Sequence, residues 1–412
     1  MEKRRVFITG LGIVSPIGIG KEAYWQGLMK SESGAAPITN FDASNHSTTF
    51  ACEVKGFDPE KYIDPMKLKK MDKFTQFGLA AAAEAMEDSG LDIGKEDPFR
   101  CGVIVASGIG GIGTVEEGAN ILTSRGPRRI SPFLAPKMII NIAAGEIAIR
   151  FGLKGHNFSI VSACASSNHA LGTALRTIQY GDADVILSGG TEAAITPLGH
   201  GSFCALKALS TRNDDPKTAS RPFDKDRDGF VMAEGAGIIV LEELEHARNR
   251  GAHIYAELAG FGATDDAYHI TAPAPGGEPS SKAMEFCIRD AGLSPDDINY
   301  INAHGTSTAF NDKGETAAIK AVFGERAYKI PVNSTKSMTG HMLGAASANE
   351  LAATLLQMKN GKLHATINQF TSDPECDLDY VPNQPRDYKI TAAIANSLGF
   401  GGHNATICVK TL

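Results

Sequence analysis

A diverged long-range repeat constrains the fold of this chain more than any other feature of its sequence. Four segments of the first part resemble four later segments in the same order: 8–12 and 258–262, 88–91 and 290–293, 162–174 and 334–346, and 185–190 and 393–398. Because the matched segments alternate between strand-like and helix-like patterns, we predict two α/β halves, about 1–250 and 251–412.

The spacing between the matched segments shrinks along the chain, so the first half must carry extra material, chiefly around 35–75 and 190–235. No linker rich in proline or serine separates the halves, which predicts that they pack as one unit. In the ungapped match, Cys164 lies opposite Lys336. This pairing suggests that two equivalent loops meet at one site.

Composition narrows the class of protein. Hydrophobic residues make up 42% and charged residues 21% of the 412 residues, as in globular proteins. A net charge of −7 argues against a general nucleic-acid binder. The seven cysteines include no Cys-x-x-Cys pair, which indicates reduced thiols. Since neither a signal peptide nor a long apolar run is present, we expect a cytoplasmic protein that does not bind membranes.

Two motifs imitate ligand sites. The sequence Gly-Ile-Gly-Gly-Ile-Gly at 108–113 fits a dinucleotide-binding loop, but no second strand ending in an acidic residue follows it. The acidic run at 224–229 imitates the start of a calcium loop, but its twelfth position is Gly235. We therefore expect neither a cofactor nor a metal ion.

A candidate nucleophile, Cys164, stands between the strand-like segment 158–161 and a helical pattern over 165–178. The first turn of a helix offers unpaired N–H groups and the positive end of its dipole, and both favour a thiolate. A single cysteine in such a place is more often a structural residue of the core.

Three later stretches favour the catalytic interpretation of Cys164 over the structural one. His304 follows a predicted strand at 298–301, Lys336 and His341 precede a predicted helix at 342–358, and a glycine-rich loop at 396–404 joins two late strands. Ends of strands are where α/β folds collect their active groups. Two histidines, a lysine and a cysteine at such ends together predict an active site.

The motifs around these residues resemble those of the β-ketoacyl-[acyl-carrier-protein] synthases. They are Ser-Ala-Cys-Ala-Ser around Cys164, His-Gly-Thr-Ser-Thr from His304, Ser-Thr-Lys-Ser-Met-Thr-Gly-His around Lys336 and His341, and Gly-Phe-Gly-Gly at 399–402. The similarity covers nearly the whole chain and is greatest to synthase II, the elongating branch of type II fatty acid synthesis. It implies a thiolase-like duplicated α/β fold of five layers, αβαβα, a homodimer, and acyl- and malonyl-loaded acyl carrier protein as partner.

The resemblance also implies catalytic roles. Cys164 would accept the acyl group, while the backbone N–H groups of Cys164 and Phe400 would hold the oxyanion. His304 and His341 would stabilise the enolate formed when malonyl-carrier protein loses its carboxylate. Lys336 would orient and polarise this set, and Glu350 would contact it, although a carboxylate on a solvated helix face is the alternative for Glu350.

Substrate-binding and docking residues follow from the same resemblance. Those implied for the acyl and pantetheine groups are Ile109, Phe203, Thr271, Thr306 and Thr308, with Phe400 moving on a hinge formed by Gly399, Gly401 and Gly402. An acidic carrier requires a basic surface, for which the candidates are Lys67, Lys69, Lys70, Lys73, Arg128, Arg129 and Lys207.

Two positions depart from the family pattern, with Ser167 where relatives often have glycine and His403 where they usually have threonine. A degradative thiolase would need a second active cysteine, an initiating synthase an asparagine in place of His341, and a non-catalytic subunit would lack Cys164. A type II polyketide ketosynthase shares the same catalytic set and stays open as the alternative.

Overall fold

Strands and helices alternate through residues 3–412, the part of the chain that the computed structural model describes. The strands are β1 (Val6–Ser15), β2 (Gly18–Ile19), β3 (Ala36–Pro37), β4 (Phe50–Ala51), β5 (Cys101–Ala106), β6 (Asn157–Phe158), β7 (Val185–Glu192), β8 (Gly235–Glu243), β9 (Ala256–Asp265), β10 (Tyr300–Asn302), β11 (Val332–Asn333), β12 (Lys362–Leu363), β13 (Arg386–Asp387), β14 (Ala392–Gly399) and β15 (His403–Lys410). The α-helices are α1 (Lys21–Lys30), α2 (Pro65–Leu68), α3 (Lys73–Ser89), α4 (Ile112–Arg125), α5 (Leu134–Met138), α6 (Ile142–Phe151), α7 (Ser166–Gln179), α8 (Pro197–Ala205), α9 (Leu244–Asn249), α10 (Glu278–Asp290), α11 (Ala309–Phe323), α12 (Lys336–Thr339) and α13 (Ala346–Asn360).

The main strands form two groups with the same order. The first group runs β6-β5-β7-β8-β1 and the second β11-β10-β14-β15-β9. In each group the first three strands are parallel and the last two join in antiparallel pairs. The two groups meet where β1 pairs with β9. Because the order and the directions repeat, we propose the division of the chain into halves 1–250 and 251–412.

Helices cover and separate the two groups of strands. Between them lie α7 and α13, each of which contacts strands of both groups. On the outer faces, α3 and α6 cover the first group, and α10 with α11 covers the second. The result is five layers, αβαβα, which confirms the predicted fold. In residues 3–412, no helix combines the length and apolar composition needed to cross a bilayer.

The paired Gly-x-Gly sequences of the repeat serve helix packing. A Cβ atom on Gly12 of β1 would lie 1.7 Å from the carbonyl oxygen of Ala81 in α3, and one on Gly262 of β9 would lie 2.1 Å from that of Ala283 in α10. Only glycine permits so close an approach of helix to strand. The Gly-x-Gly motif of β1 is therefore a packing motif.

A second pair of equivalent residues fixes the same contacts. The carboxylate of Asp88, near the end of α3, accepts a hydrogen bond of 2.9 Å from the backbone N–H of Leu11. Asp290, at the end of α10, accepts one of 3.0 Å from Phe261. These equivalent contacts, one in each half, explain why the segments at 88–91 and 290–293 resemble each other.

The predicted register of the third repeat was wrong. The short 3₁₀ turns Ala163–Ala165 and Leu343–Ala345 lead into α7 and α13, and both begin with a residue of positive φ, 50° for Ala163 and 48° for Leu343. Cys164 therefore lies opposite Gly344 rather than Lys336. The segment that sequence identity favoured forms α12 instead. For the same reason the helix predicted at 342–358 begins only at Ala346.

Candidate active site

Three predicted catalytic side chains converge at the ends of the strands. The Sγ of Cys164 and one ring nitrogen each of His304 and His341 lie within 4.8 Å of one another. All three residues are buried, with 8%, 2% and 2% of their surfaces exposed. A nucleophile and two imidazoles thus share one small, largely dehydrated space.

Cys164 lies in the turn that precedes α7. Backbone N–H groups of Phe400 and of Cys164 itself point at the sulfur, and Lys336 adds positive charge. Burial outweighs these effects and raises the pKa of the Cys164 thiol to about 11. The N–H groups of this turn therefore favour the thiolate but do not offset the effect of burial. The thiol must lose its proton during the reaction.

The loop after β10 positions His304, and two acidic residues of α11 hold that loop. Glu315 accepts hydrogen bonds from the backbone N–H groups of His304 (2.8 Å) and Gly305 (2.9 Å). Asp312 accepts from Thr306 at 3.0 Å. Sequence reasoning missed both residues. Their spacing of one helical turn just after the His304 motif is the signal that could have found them.

Lys336 fixes the proton of His304. Its buried ammonium donates to the carbonyl oxygen of His304 (2.7 Å), to His304 Nδ1 (3.3 Å) and to Glu350. Burial, with Lys336 and His341 adding to it, lowers the pKa of His304, so this ring is neutral. Since Nδ1 accepts, Nε2 carries the ring proton and can donate.

The same contacts decide whether the three side chains suit a metal ion. A thiol and two imidazoles are donors that Zn²⁺ accepts. Here the free nitrogen of His304 carries a proton, and an ammonium group lies 3.3 Å from the other nitrogen. The residues therefore fit a hydrogen-bonding site better than a metal site.

His341 is positioned by the extra material of the first half. Its backbone N–H donates to Val231 at 2.7 Å, its carbonyl oxygen accepts from Ala233 at 2.9 Å, and the ring of Phe230 packs edge-on against its imidazole. Its Nδ1 is buried and has no hydrogen-bond partner within residues 3–412. Burial, followed by the charge of Lys336, lowers the pKa of His341, so this imidazole is neutral too.

A cleft of about 400 Å³ opens above the three side chains. The predicted residues that line it, besides the catalytic three, are Phe203, Lys207, Thr271, Thr306, Thr308, Gly399, Phe400 and Gly402. Gly401, Lys336, Glu350 and Ile109 do not line it. Lys336 and Glu350 lie buried behind the histidines, and Ile109 packs in an apolar cluster with Phe203 and Leu343. The solvated alternative for Glu350 is therefore wrong.

Comparison with known proteins identifies the family. The model described as "Beta-ketoacyl synthase, N-terminal domain" matches residues 3–247, and "Beta-ketoacyl synthase, C-terminal domain" matches residues 255–370. The chain belongs to the beta-ketoacyl synthase family. This confirms the predicted family and, with it, the class of condensing acyltransferases.

Among its relatives, the synthase is 52% identical over 410 residues to 3-oxoacyl-[acyl-carrier-protein] synthase 2 of Coxiella burnetii, covering 100% of this chain and 99% of that protein. It is 50% identical to the Synechocystis protein of the same name over 410 residues, with the same coverage. Among solved structures, a type II polyketide ketosynthase in the AntDE:AntF complex with an acyl-carrier protein has a TM-score of 0.93 at 40% identity, covering 100% of both chains. A beta-ketoacyl synthase from Burkholderia phymatum has a TM-score of 0.92 at 32% identity, covering 99% of this chain and 100% of that one.

The loop of Phe400 joins β14 to β15. Gly401 and Gly402 have φ values of 86° and 84°, which only glycine adopts without strain. The N–H of Gly401 donates to the carbonyl oxygen of Ile270 at 2.7 Å, which ties this loop to the segment that carries Thr271. The phenyl rings of Phe400 and Phe203 lie 6.5 Å apart. The loop thus closes one side of the synthase cleft with an aromatic ring.

His403 lies away from the reacting groups. Its Nδ1 is 3.5 Å from a carboxylate oxygen of Asp265, and the two side chains are 43% and 48% exposed. The departure at His403 is therefore a surface feature at the base of the Phe400 loop.

The predicted basic residues differ in whether their charges, within residues 3–412, are exposed and unpaired or already held in an ion pair. Lys67, Lys69, Lys70, Arg128, Arg129 and Lys207 are exposed. Lys73 instead forms an ion pair of 2.7 Å with buried Glu234. The ammonium of Lys70 lies 5.2 Å from the centre of the Phe133 ring, which brings the segment around Lys70 next to the one that follows Arg129. The exposed cations of the synthase are thus available to a partner, whereas the charge of Lys73 is already compensated.

Proposed function

We propose that this enzyme lengthens fatty acyl chains by two carbons, condensing malonyl-carrier protein with an acyl group held on Cys164. The observation that carries the proposal is the convergence of the Cys164 Sγ, a proton-donating His304 and His341 within 4.8 Å at the base of the cleft. The synthase 2 relatives at about half identity support fatty acyl chains as the substrate.

In the first half-reaction, the sulfur of Cys164 attacks the acyl thioester carbonyl. Because the thiol is protonated at neutral pH, its proton passes to a neutral imidazole and then to the departing carrier thiolate, which leaves as the thiol. The N–H groups of Cys164 and Phe400 point at the sulfur and stand where they can receive the oxyanion. Each such donor contributes about 3 kcal/mol of transition-state stabilisation.

In the second half-reaction, malonyl-carrier protein loses carbon dioxide. The electron pair of the broken C–C bond becomes an enolate, whose oxygen accepts hydrogen bonds from His304 and His341. The Lys336 ammonium holds Nδ1 of His304 as an acceptor, so the proton stays on the nitrogen that donates. The enolate carbon then attacks the acyl-Cys164 carbonyl, and the thiolate of Cys164 leaves.

The walls of the cleft suit the two parts of the substrate. Thr306 and Thr308, whose hydroxyl oxygens lie 2.9 Å apart, can bind the amides of the pantetheine arm, with Thr271 on the facing segment. Phe203 and Phe400 provide the apolar surface that an acyl chain needs. Ile109 sits behind Phe203 in the same apolar cluster and would contact a longer chain.

An acidic acyl carrier protein is the proposed partner. The AntDE:AntF structure is described as an acyl-carrier protein in complex with its ketosynthase. Exposed Lys67, Lys69, Lys70, Arg128 and Arg129 would pair with the carrier, and exposed Lys207 stands at the mouth of the cleft. Lys73, already paired with Glu234, would contribute least.

A homodimer is proposed on the free edge of the sheet. Strand β6 is the last strand of its group and is paired only with β5. Apolar residues are exposed beside it, with Phe158 at 38% and Val161 at 55%. A second copy that paired with this edge would cover both. The seven free thiols support a cytoplasmic location.

A condensation assay with malonyl-carrier protein and acyl-carrier donors of graded length tests the proposal. We expect one product, a β-ketoacyl-carrier protein two carbons longer than the donor, and an acyl adduct on Cys164 by mass spectrometry. The Cys164→Ala variant should carry no adduct. Repeated extension without reduction would instead identify a polyketide ketosynthase, and an adduct on Cys164→Ala would overturn the nucleophile.

A further inference from the structure

The turn that carries Cys164 is tied to its counterpart in the second half by reciprocal hydrogen bonds. The hydroxyl of Ser167, on the first turn of α7, donates to the carbonyl oxygen of Gly344. The hydroxyl of Ser347, at the same place in α13, donates to that of Cys164 at 3.5 Å. The Gly344 turn is therefore linked to the turn of the nucleophile, chiefly through Ser167.

A buried carboxylate holds the Gly344 turn in place. Glu192, at the end of β7, has no exposed surface. It accepts hydrogen bonds from the N–H groups of Gly344 (3.0 Å), Gly108 (2.7 Å) and Ile109 (3.2 Å), and from the hydroxyl of Ser107 (2.9 Å). No basic side chain forms an ion pair with it in residues 3–412. Four neutral donors alone satisfy this group.

Two glycines lie so close to the carboxylate that no larger residue would fit in their place. A Cβ atom on Gly108 or on Gly344 would lie 2.9 Å from Glu192 Oε2. Glycine at both positions therefore lets the backbones of two loops reach one carboxylate. Gly344 occupies the position equivalent to Cys164, so its N–H is the counterpart of the Cys164 N–H, and Glu192 fills the place where an oxyanion would bind.

We propose that Glu192 is a positioning residue for the nucleophile. Acting through Gly344 and Ser167, it sets the position of the Cys164 turn. The proposal rests on the proposed function, in which Cys164 accepts the acyl group. It also gives a role to Ser167, one of the two residues at which this chain departs from the family pattern. Burial raises the pKa of the Cys164 thiol most, and a charge on Glu192 adds to that rise. Burial also raises the pKa of Glu192 itself, against the four hydrogen bonds that lower it.

The test compares Glu192→Gln with Ser167→Ala in the full-length enzyme. A glutamine cannot accept from all four donors, and its own N–H₂ group opposes them. A displacement of the turn of about 1 Å costs up to ~100-fold in rate. We therefore expect Glu192→Gln to slow acylation of Cys164 by at least about tenfold and Ser167→Ala to slow it less, while malonyl decarboxylation, which depends on the histidines, changes less than about twofold in both.

Alkylation of Cys164 by iodoacetamide across pH provides a readout that a purely structural role would not move. Loss of the charge in Glu192→Gln should shift the alkylation profile to lower pH, whereas Ser167→Ala should not shift it. The matched control is Glu242→Gln. Glu192 pairs with the start of β8, whereas Glu242 is a buried carboxylate near its end. This variant should leave unchanged both the alkylation profile and the ratio of acylation to decarboxylation rates.

The outcomes separate this proposal from the proposed function. If the unmodified enzyme neither takes up acyl groups nor releases carbon dioxide, the proposed function is wrong. If it does both, an unchanged alkylation profile in Glu192→Gln overturns the positioning role, as does an equal loss of both half-reactions. Should Glu192→Gln fail to fold, the acylation rate of Ser167→Ala is the test. A rate equal to that of the unmodified enzyme would refute the link between the Cys164 and Gly344 turns.

Discussion

Removal of Lys336 tests both the stability and the chemistry of the catalytic set. Lys336 and Glu350 are 1% and 2% exposed and form an ion pair within the core. The Lys336→Met variant leaves the carboxylate of Glu350 buried without its cation. Breaking a buried pair in this way costs about 3–5 kcal/mol, so we expect the free energy of unfolding at pH 7 to fall by about that amount.

The pH dependence of this loss has a definite sign. Burial raises the pKa of Glu350, and Lys336 opposes that rise. Without Lys336 the pKa of Glu350 rises further, above its value in the unfolded chain. A carboxyl with a raised pKa in the folded state stabilises the fold below the unfolded pKa and loses that contribution as pH rises. The deficit of Lys336→Met should therefore be small near pH 4 and grow toward pH 7, within the ordinary titration range of glutamate.

A double variant separates stability from catalysis. Lys336→Met with Glu350→Gln removes both charges, and we expect it to recover most of the lost free energy in denaturant unfolding. It cannot restore the hydrogen bond to His304 Nδ1, so the ring proton is no longer fixed and carbon dioxide release should stay low. Normal carbon dioxide release by the double variant would refute the role of Lys336 in fixing this proton. A Lys336→Met protein as stable as the unmodified one would refute the ion-pair argument.

Three further predictions concern other groups. His304→Ala and His341→Ala should each lower carbon dioxide release from malonyl-carrier protein by 10²-fold or more, about the contribution of one donor to a developing charge, while much of the Cys164 acylation detected by mass spectrometry remains. Reversal of charge at Lys69 and Lys70 should raise KM for carrier-bound substrate and weaken its salt dependence, and an unchanged KM would exclude this surface. Hydrogen bonding to Glu242 raises the pKa of His246 to about 9 from 6.5, so thermal stability should decline as pH rises through this interval, and His246→Gln should flatten that decline.

The sequence alone predicted the duplicated fold, but it did not predict the correct alignment of the third pair of repeat segments. The Gly-x-Gly pairs and the acidic ends of α3 and α10 can be recognised in the sequence, because each makes a close helix–strand contact that few residue types permit. The equivalence of Cys164 and Gly344 is not visible, since it rests on matching backbone conformations at Ala163 and Leu343 rather than on shared side chains.

The candidate site shows the same limit. Motifs predicted Cys164, His304 and His341 because the chemistry dictates their residue types. The carboxylates of Asp312 and Glu315 hold the loop through its backbone N–H groups, so their only trace in the sequence is a spacing of one helical turn, which many acidic pairs on helices share. The resting state of Cys164 also depends on how deeply the assembled fold buries it, which no single segment encodes.

The duplicated architecture explains why one turn is reactive and its counterpart is not. Both turns present N–H groups at the start of a central helix, and both begin with a strained residue of positive φ. At Gly344 the N–H is occupied by the Glu192 carboxylate, whereas at Cys164 it faces the sulfur and the cleft. One half of the duplicated unit thus leaves its N–H groups open for the proposed oxyanion, and the other directs the equivalent N–H group at a carboxylate of its own. The proposed reaction therefore has one open site, because Gly344 replaces the cysteine in the second copy and Glu192 occupies its N–H group.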